Sequence, residues 1–519
     1  MPPHRLRLTA FVLGLLVLAC VAVPAAAGGG GRFSGRLVRF HGDDFARPGR
    51  AVAGFALETE RGHYRLTFRD TSLAGLVGRR IEVSGSRTGR TVDVAAYRAL
   101  PEGADSTGSA TTSIAAQNKN VAVLLMNFRN DTRQPWTADH VAGVMFGNAN
   151  SVANYFAEQS YGNMAMTGQV FGWYTLDVDN AGCDFNGWGS AVRAAALAAG
   201  ENLNGFTNFV YAFPSASGCG WSGLAYLPGV DSWLNNAMTM RVASHELSHN
   251  FGVHHASTYN CVSGGVRVTL SATANECTLN EYGDPFTVMG SASWRHSNAW
   301  HKAQMGWAGA AADRLDVTVE GTYTLGSQEF ASATPKLLRV ARAGASGQFF
   351  YLELRQPFGT YFDNFTASDP VVNGVTVRIG ADYNVRSQSR LLDTTPLTSS
   401  FGDAALAVGQ TFSDPLSGVT VTTQSVSGGS AAVHVSFDGV VPPPQPPPDT
   451  TPPTAPTNLR ATVNKGGVTA LAWNASSDNV AVTGYRLYRN GSLFSTVRFK
   501  SAGTLDMPQG PATAGNTGN

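Results

Sequence analysis

The 519-residue sequence predicts a multidomain protein in which an α/β domain is flanked by all-β domains. Three observations predict it. In the centre of the chain continuous apolar runs alternate with helical patterns, on either side apolar and polar residues alternate with period two, and low-complexity stretches separate the regions. Glycine at 58 residues and a charged fraction of 14% agree with a strand- and loop-rich chain.

Residues 1–27 read as an export signal. His4, Arg5 and Arg7 give a basic start, Phe11 to Val23 is apolar, and Pro24, Ala25, Ala26 and Ala27 offer a small-residue cleavage site. Cys20 gives a lipoprotein alternative that Leu18 fits poorly. The expected localisation is therefore extracellular. Residues 28–100 form a small β domain and candidate prodomain, with alternating strands at Arg36–Phe40, His63–Phe68 and Arg80–Val83. Residues 101–117, rich in Ser, Thr, Ala and Gly, are a linker and candidate processing site.

Residues 118–312 form the α/β domain. Val121–Phe128 and Phe209–Phe213 are runs suited to strands buried on both faces. Helices are expected over Ser151–Tyr161, capped by Ser151 and ended by Gly162, over Ala191–Ala199, and over Met238–Asn250. Gly220–Leu227 is the candidate edge strand that pairs with an extended chain. Residues 313–439 return to alternation at Tyr351–Leu354, Val375–Ile379 and Val419–Val421, which predicts a β-sandwich. Residues 440–456 contain the polyproline spacer Pro442–Pro448. Residues 457–519 hold Leu459, Trp473 and Tyr485–Tyr488, which with Pro456 resemble the first half of a fibronectin type III module. The segment is short for a complete sandwich, so a partial module is expected.

A net charge of +1 argues against nucleic acid as a partner, and the cluster Arg79, Arg80, Arg87 and Arg90 reads as a solvated face. Beyond the signal no apolar run suits a transmembrane segment. Four cysteines remain after the signal, which suggests two disulfides in an exported protein. Short-loop closure favours Cys183 with Cys219 and Cys261 with Cys277 among three pairings.

The chemistry concentrates in His245-Glu246-Leu247-Ser248-His249-Asn250-Phe251-Gly252-Val253-His254-His255. His245 and His249 are one helical turn apart on one face, so both imidazoles reach one metal ion. Glu246 is placed to address metal-bound water. Gly252 permits a sharp turn at positive φ that returns a third ligand. His255 is the expected ligand by spacing, with His254 as the alternative. Three imidazoles leave one position of a tetrahedral zinc ion open to water, and Glu246 is the expected general base.

This segment resembles the extended zinc motif of the metzincin metallopeptidases. The resemblance implies a metzincin-like α/β catalytic domain, one catalytic Zn2+ and a turn bearing methionine beneath the metal, which Tyr282–Gly290 with Met289 fits. Phe156–Gly162, Gly168–Trp173 and Ala299–Trp307 are similar to the gametolysin-like branch, over roughly residues 120–437. Metzincins with an extra tyrosine ligand place it two residues past the methionine. Ser291 stands there, so no tyrosine ligand is assigned. No cysteine lies between Gly28 and Gly182, so a prodomain acts by some contact other than a thiol.

The implied function is a secreted zinc-dependent endopeptidase acting on protein or peptide substrates, as a monomer, with the β domains free to associate with cell wall or matrix. The alternatives are a zinc amide hydrolase acting on cell-wall peptide and a non-catalytic binding protein. His296 and His301 are weighed as substrate contacts and read as packing residues. Asp393, Asp403 and Asp414 are weighed as ligands for Ca2+, but their spacing matches no calcium loop.

Overall fold

The structure is a computed structural model. It describes residues 31–45, 47, 52–60, 62–68, 76–100, 117–308 and 313–437, then 453–463, 469–478, 482, 484–489, 492–498 and 504–507. The expected export signal and most of both expected linkers lie outside the described residues. The chain divides into two compact units, Met1–Pro442 and Pro443–Asn519. Strands predominate over helices.

The first unit opens with β1 (Gly31–Asp43), β2 (Val52–Thr59), β3 (Gly62–Thr67), β4 (Arg80–Thr88) and β5 (Thr91–Ala99). They pair in the order β2-β3-β5-β4-β1, and β1 also pairs with β2, which closes a five-stranded barrel. The alternating residues Leu37, Leu57, Tyr64, Leu66, Ile81, Val83 and Val92 point inward and form its core.

Five further strands continue the same sheet: β6 (Lys119–Phe128), β7 (Met166–Leu176), β8 (Asn208–Phe213), β9 (Gly223–Leu227) and β10 (Asp231–Asn235). Their order is β9-β10-β8-β6-β7. All neighbours are parallel except β9, which runs antiparallel to β10. Strand β6 is buried on both faces, because its residues alternate between two cores. Val121, Val123 and Leu125 pack with α2 (Val152–Gln159) and α4 (Met240–Asn250), following a short α1 (Ala138–Ala142). Ala122, Leu124, Met126 and Phe128 pack with α3 (Phe185–Ala198) through Trp188, Val192 and Ala196.

Helix boundaries follow their caps. Ser151 Oγ accepts from Asn154 N at the start of α2, and Thr239 Oγ1 accepts from Val242 N at the start of α4. Helix α3 begins earlier than alanine content alone suggests. Asp184 caps it by accepting from Gly187 N, and the aromatic first turn is buried.

Strands β11 (Ala256–Ser263), β12 (Val266–Val268) and β13 (Cys277–Asn280) follow, with α5 (Ala299–Gln304), then β14 (Arg314–Val317), β15 (Gly321–Gly326), β16 (Leu337–Ala341), β17 (Phe349–Leu354), β18 (Gly374–Gly380), β19 (Ser389–Leu392), β20 (Leu406–Ala407), β21 (Thr411–Ser413), β22 (Val419–Ser427) and β23 (Ser430–Phe437). A nine-stranded sheet has the path β12-β11-β19-β18-β17-β16-β14, with β13 on β11 and β20 on β18. A second sheet runs β15-β23-β22-β21. Leu352, Val377 and Ile379 of the first share a core with Val421, Val433 and Val435 of the second. Strand β11 pairs parallel with β19, so the large sheet includes residues on both sides of position 313. Disulfides join Cys183 to Cys219 and Cys261 to Cys277. Among the described residues no helix is long and apolar enough to cross a membrane.

In the second unit, β24 (Thr457–Val463), β25 (Thr469–Asn474) and β28 (Thr504–Met507) form one sheet, and β26 (Gly484–Arg489) pairs with β27 (Ser492–Arg498). Trp473 is buried and meets Tyr485 edge-on, with ring centroids 5.1 Å apart.

Candidate metal centre

Helix α4 is amphipathic in an unusual sense, because its buried residues include Ser244, His245, Glu246, Ser248 and His249. A face of polar groups is buried at low cost only if each finds a partner. His245 Nδ1 donates to Val288 O at 2.8 Å, and His249 Nδ1 donates to Val253 O at 2.8 Å. His255 Nδ1 donates to Glu281 Oε1 at 2.7 Å. These three bonds fix each imidazole with its Nε2 lone pair turned inward, as the outer partners of metal-bound histidines do.

The return of His255 depends on Gly252, whose φ is +104°. A Cβ there would lie 2.7 Å from Arg386 Nε, so both backbone angle and space require glycine. Nε2 of His249 and His255 are 3.0 Å apart. His254 is buried outside this cluster against His41, at 5.3 Å between rings, and among the described residues no metal-holding group includes it.

Met289 is fully buried. The turn that carries it is closed by Gly290 N donating to Thr287 O at 3.0 Å. Its neighbour Val288 supplies the carbonyl that orients His245, so the turn positions a ligand directly. Gly290 packs against Asp284 O, where a Cβ would come within 2.1 Å.

Glu246 is buried beside the three imidazoles, and neither of its oxygens accepts a hydrogen bond from a donor group among the described residues. Burial, then the neighbouring Asp43 carboxylate, pushes its pKa well above the carboxylate range. Gly223 on β9 makes room for it, because a Cβ at that position would lie 2.1 Å from Glu246 Oε1. Burial lowers His249 to about 4. Burial works against His255 too, but Asp43 and Glu281 raise it to about 9.

The donor set suits a metal ion. His245, His249, His255 and Asp43 each offer one ligand atom, all within 4.8 Å of one another. Three neutral imidazoles and one oxygen are the set that zinc takes in a four-coordinate site.

Residues 121–266 match the family described as gametolysin peptidase M11. The central segment is similar to the gametolysin metallopeptidases. The matched span ends within the chain segment that follows the third histidine, so it contains all three imidazoles and Glu246. Two curated proteins of Niallia circulans share short stretches with the chain. An alpha-amylase is 51% identical over 41 residues, which is 8% of this chain and 3% of that protein. Chitinase A1 is 50% identical over 44 residues, 8% of this chain and 6% of that protein. The chain thus covers a small part of the length of either relative.

The site of this gametolysin-like segment also holds residues that spacing did not reveal. Asp43 lies 3.4 Å from His245 Nε2, 3.5 Å from His249 Nε2 and 3.0 Å from His255 Nε2. Tyr282 Oη donates to Asp43 Oδ1. Glu281 and His41 also border the cluster. Tyr282 opens the segment Tyr282–Gly290 that the sequence marks as the methionine turn, and Glu281 stands just ahead of it.

Other weighed residues lie elsewhere. His296 is buried between Glu158 Oε1 at 2.9 Å and Asp363 Oδ2 at 3.1 Å. His301 is buried against Trp300. Asp393 pairs with Arg267, Asp414 pairs with Arg342, and Asp403 accepts from Thr398, so the structure does not gather them.

Proposed function

We propose that the chain is a secreted zinc-dependent endopeptidase of the metzincin type, with His245, His249 and His255 as the metal ligands and Glu246 as general base. One observation carries the reading: three imidazoles with inward Nε2 atoms converge beside a buried carboxylate that accepts no donor. A bound zinc ion would supply Lewis acidity and a water of lowered pKa. The chain's own residues do the rest. Glu246 takes a proton from the attacking water and returns it to the leaving amine. Strand β9 orients the substrate as an added strand, which its antiparallel pairing with β1 supports. Acceptance of an extended chain along β9 favours an endopeptidase over a hydrolase of short cell-wall peptides.

The segments shared with the alpha-amylase and the chitinase are 3% and 6% of those proteins and carry no argument about the bond hydrolysed. The second unit is proposed as a partial fibronectin type III-like module for matrix association.

The test is gelatin cleavage by the purified chain after limited proteolysis, beside Glu246→Ala, with zinc measured on both. Removal of the general base is expected to lower the rate by about 10²–10⁴-fold at unchanged zinc content. An equally active Glu246→Ala variant, or a zinc-loaded wild type that cleaves no peptide bond, would overturn the reading.

A further inference from the structure

Strand β1 joins the barrel to the sheet that carries the metal centre. Its first part, Gly31–Arg36, pairs with β4, and Arg36–Gly42 pair with β2. Along its other edge the later residues lie antiparallel on β9, with Arg39 opposite Leu227, Phe40 opposite Tyr226, His41 opposite Ala225, Gly42 opposite Leu224 and Asp43 opposite Gly223. Ser222 N extends the ladder by donating to Asp43 O at 2.8 Å. This is the face of β9 on which an extended substrate would add.

The side chains of this stretch converge on the histidines. The His41 ring stacks on His249 at 5.2 Å, and the Phe45 ring meets His245 edge-on at 4.9 Å. Between them Asp43 is 1% exposed and reaches all three Nε2 atoms. Ligands about 2.0–2.1 Å from a tetrahedral ion are about 3.3 Å from one another. Asp43 Oδ2 stands 3.4 Å from His245 Nε2 and 3.5 Å from His249 Nε2, and these with the 3.0 Å between His249 and His255 match that spacing, while Oδ1 stands 3.0 Å from His255 Nε2. An isolated carboxylate in an apolar wall would be costly. Here Tyr282 donates to it, and a cation held by the three imidazoles would neutralise it.

We propose that Asp43 is the fourth ligand of the metal held by His245, His249 and His255, and that β1 thereby keeps the chain latent by filling its own substrate cleft. The inference rests on the peptidase reading for the word latent, but the contact itself does not need that reading. Asp43 occupies the position that water must take, and Arg39–Gly42 occupy the strand position that substrate must take. Activation then requires β1 to leave β9. The absence of cysteine between Gly28 and Gly182 fits a carboxylate in the role that a thiol fills elsewhere.

The test uses the full chain loaded with zinc, as wild type, Asp43→Asn and Gly42→Val. The asparagine keeps the side-chain volume and an acceptor for Tyr282. The valine leaves Asp43 intact but crowds the β1–β9 pairing, because even a Cβ at Gly42 would lie 3.1 Å from Trp221 Cδ1 and the branched methyls add to that contact. Acetohydroxamate, which needs an open metal position, is titrated by calorimetry, and gelatin cleavage is read without prior proteolysis. Both variants are expected to bind one zinc and to bind the probe at least about tenfold more tightly than wild type, as release from a mostly closed state requires. Equal probe binding by all three zinc-loaded proteins overturns the proposal. Tighter probe binding by the variants without gelatin cleavage upholds the Asp43 contact and removes the peptidase reading. Equal probe binding with equal cleavage does the reverse.

Discussion

Tyr282 Oη donates to a carboxylate oxygen that stands 3.0 Å from His255 Nε2. Once that carboxylate leaves, the hydroxyl faces the place where negative charge develops on the scissile carbonyl. Burial, the largest cause, raises its pKa above the phenol range, so it remains a donor at neutral pH. Tyr282→Phe in the activated enzyme is therefore expected to lower kcat by about 10²–10³-fold with little change in KM or zinc content. Unchanged kcat would remove Tyr282 from the chemistry. At this scale the sequence was legible where spacing on one element carries the geometry. His245 and His249 share a helix face, and Gly252 brings back His255. Asp43, Glu281 and Tyr282 reach the site from other elements, and no local pattern marks a residue whose role depends on a distant pairing.

Helix α4 and its exit form one device. The helix begins at a Thr239 cap, presents two imidazoles and Glu246, and stops ahead of Gly252. Arg386 Nε donates to Gly252 O at 3.1 Å and closes the space where a side chain would go. Gly252→Ala combines a positive φ with that clash and is expected to cost about 1–3 kcal/mol. Because the turn sets His255, the variant should also lose zinc, and thermal denaturation with metal analysis checks both. Full stability with full zinc would show that the turn tolerates a side chain. Strand β6 and the helices were readable from apolar runs and caps. The pairing of β1 with β9 was not, because its partners are far apart in sequence and strand register over that distance follows from the whole sheet.

The large β region is tied to the metal centre by two buried arginines. Arg355 donates to Phe286 O at 2.6 Å and to Asp363 Oδ1 at 2.6 Å, and Arg378 donates to Asp284 Oδ2 at 2.9 Å. Phe286 and Asp284 lie on the approach to Met289, so these sheets brace the turn that orients His245. Their sandwich character was expected from alternation. This bracing was not, since a buried charge is invisible until its partner is placed.

Burial would raise the pKa of Asp363, but Arg355 and His296 outweigh it and hold the carboxyl well below its usual range. The sign follows from linkage. Below the unfolded value of about 3.9, the unfolded chain takes up a proton that the folded chain refuses, so stability falls as the pH falls. The contribution is complete above that value. Asp363→Asn is expected to flatten the decline below about pH 4 by up to about 1.4 kcal/mol per pH unit, measured by denaturant unfolding across pH. An unchanged slope would mean that the acid sensitivity arises elsewhere.

One metal held by three imidazoles is the centre on which the proposed chemistry depends, and zinc-edge X-ray absorption on the purified full chain tests it most directly. The expected shell is three histidine nitrogens and one oxygen at about 2.0–2.2 Å, with His255→Ala removing one nitrogen or the metal itself. A shell containing sulfur, fewer than three imidazoles, or a spectrum indifferent to His255→Ala would contradict the account.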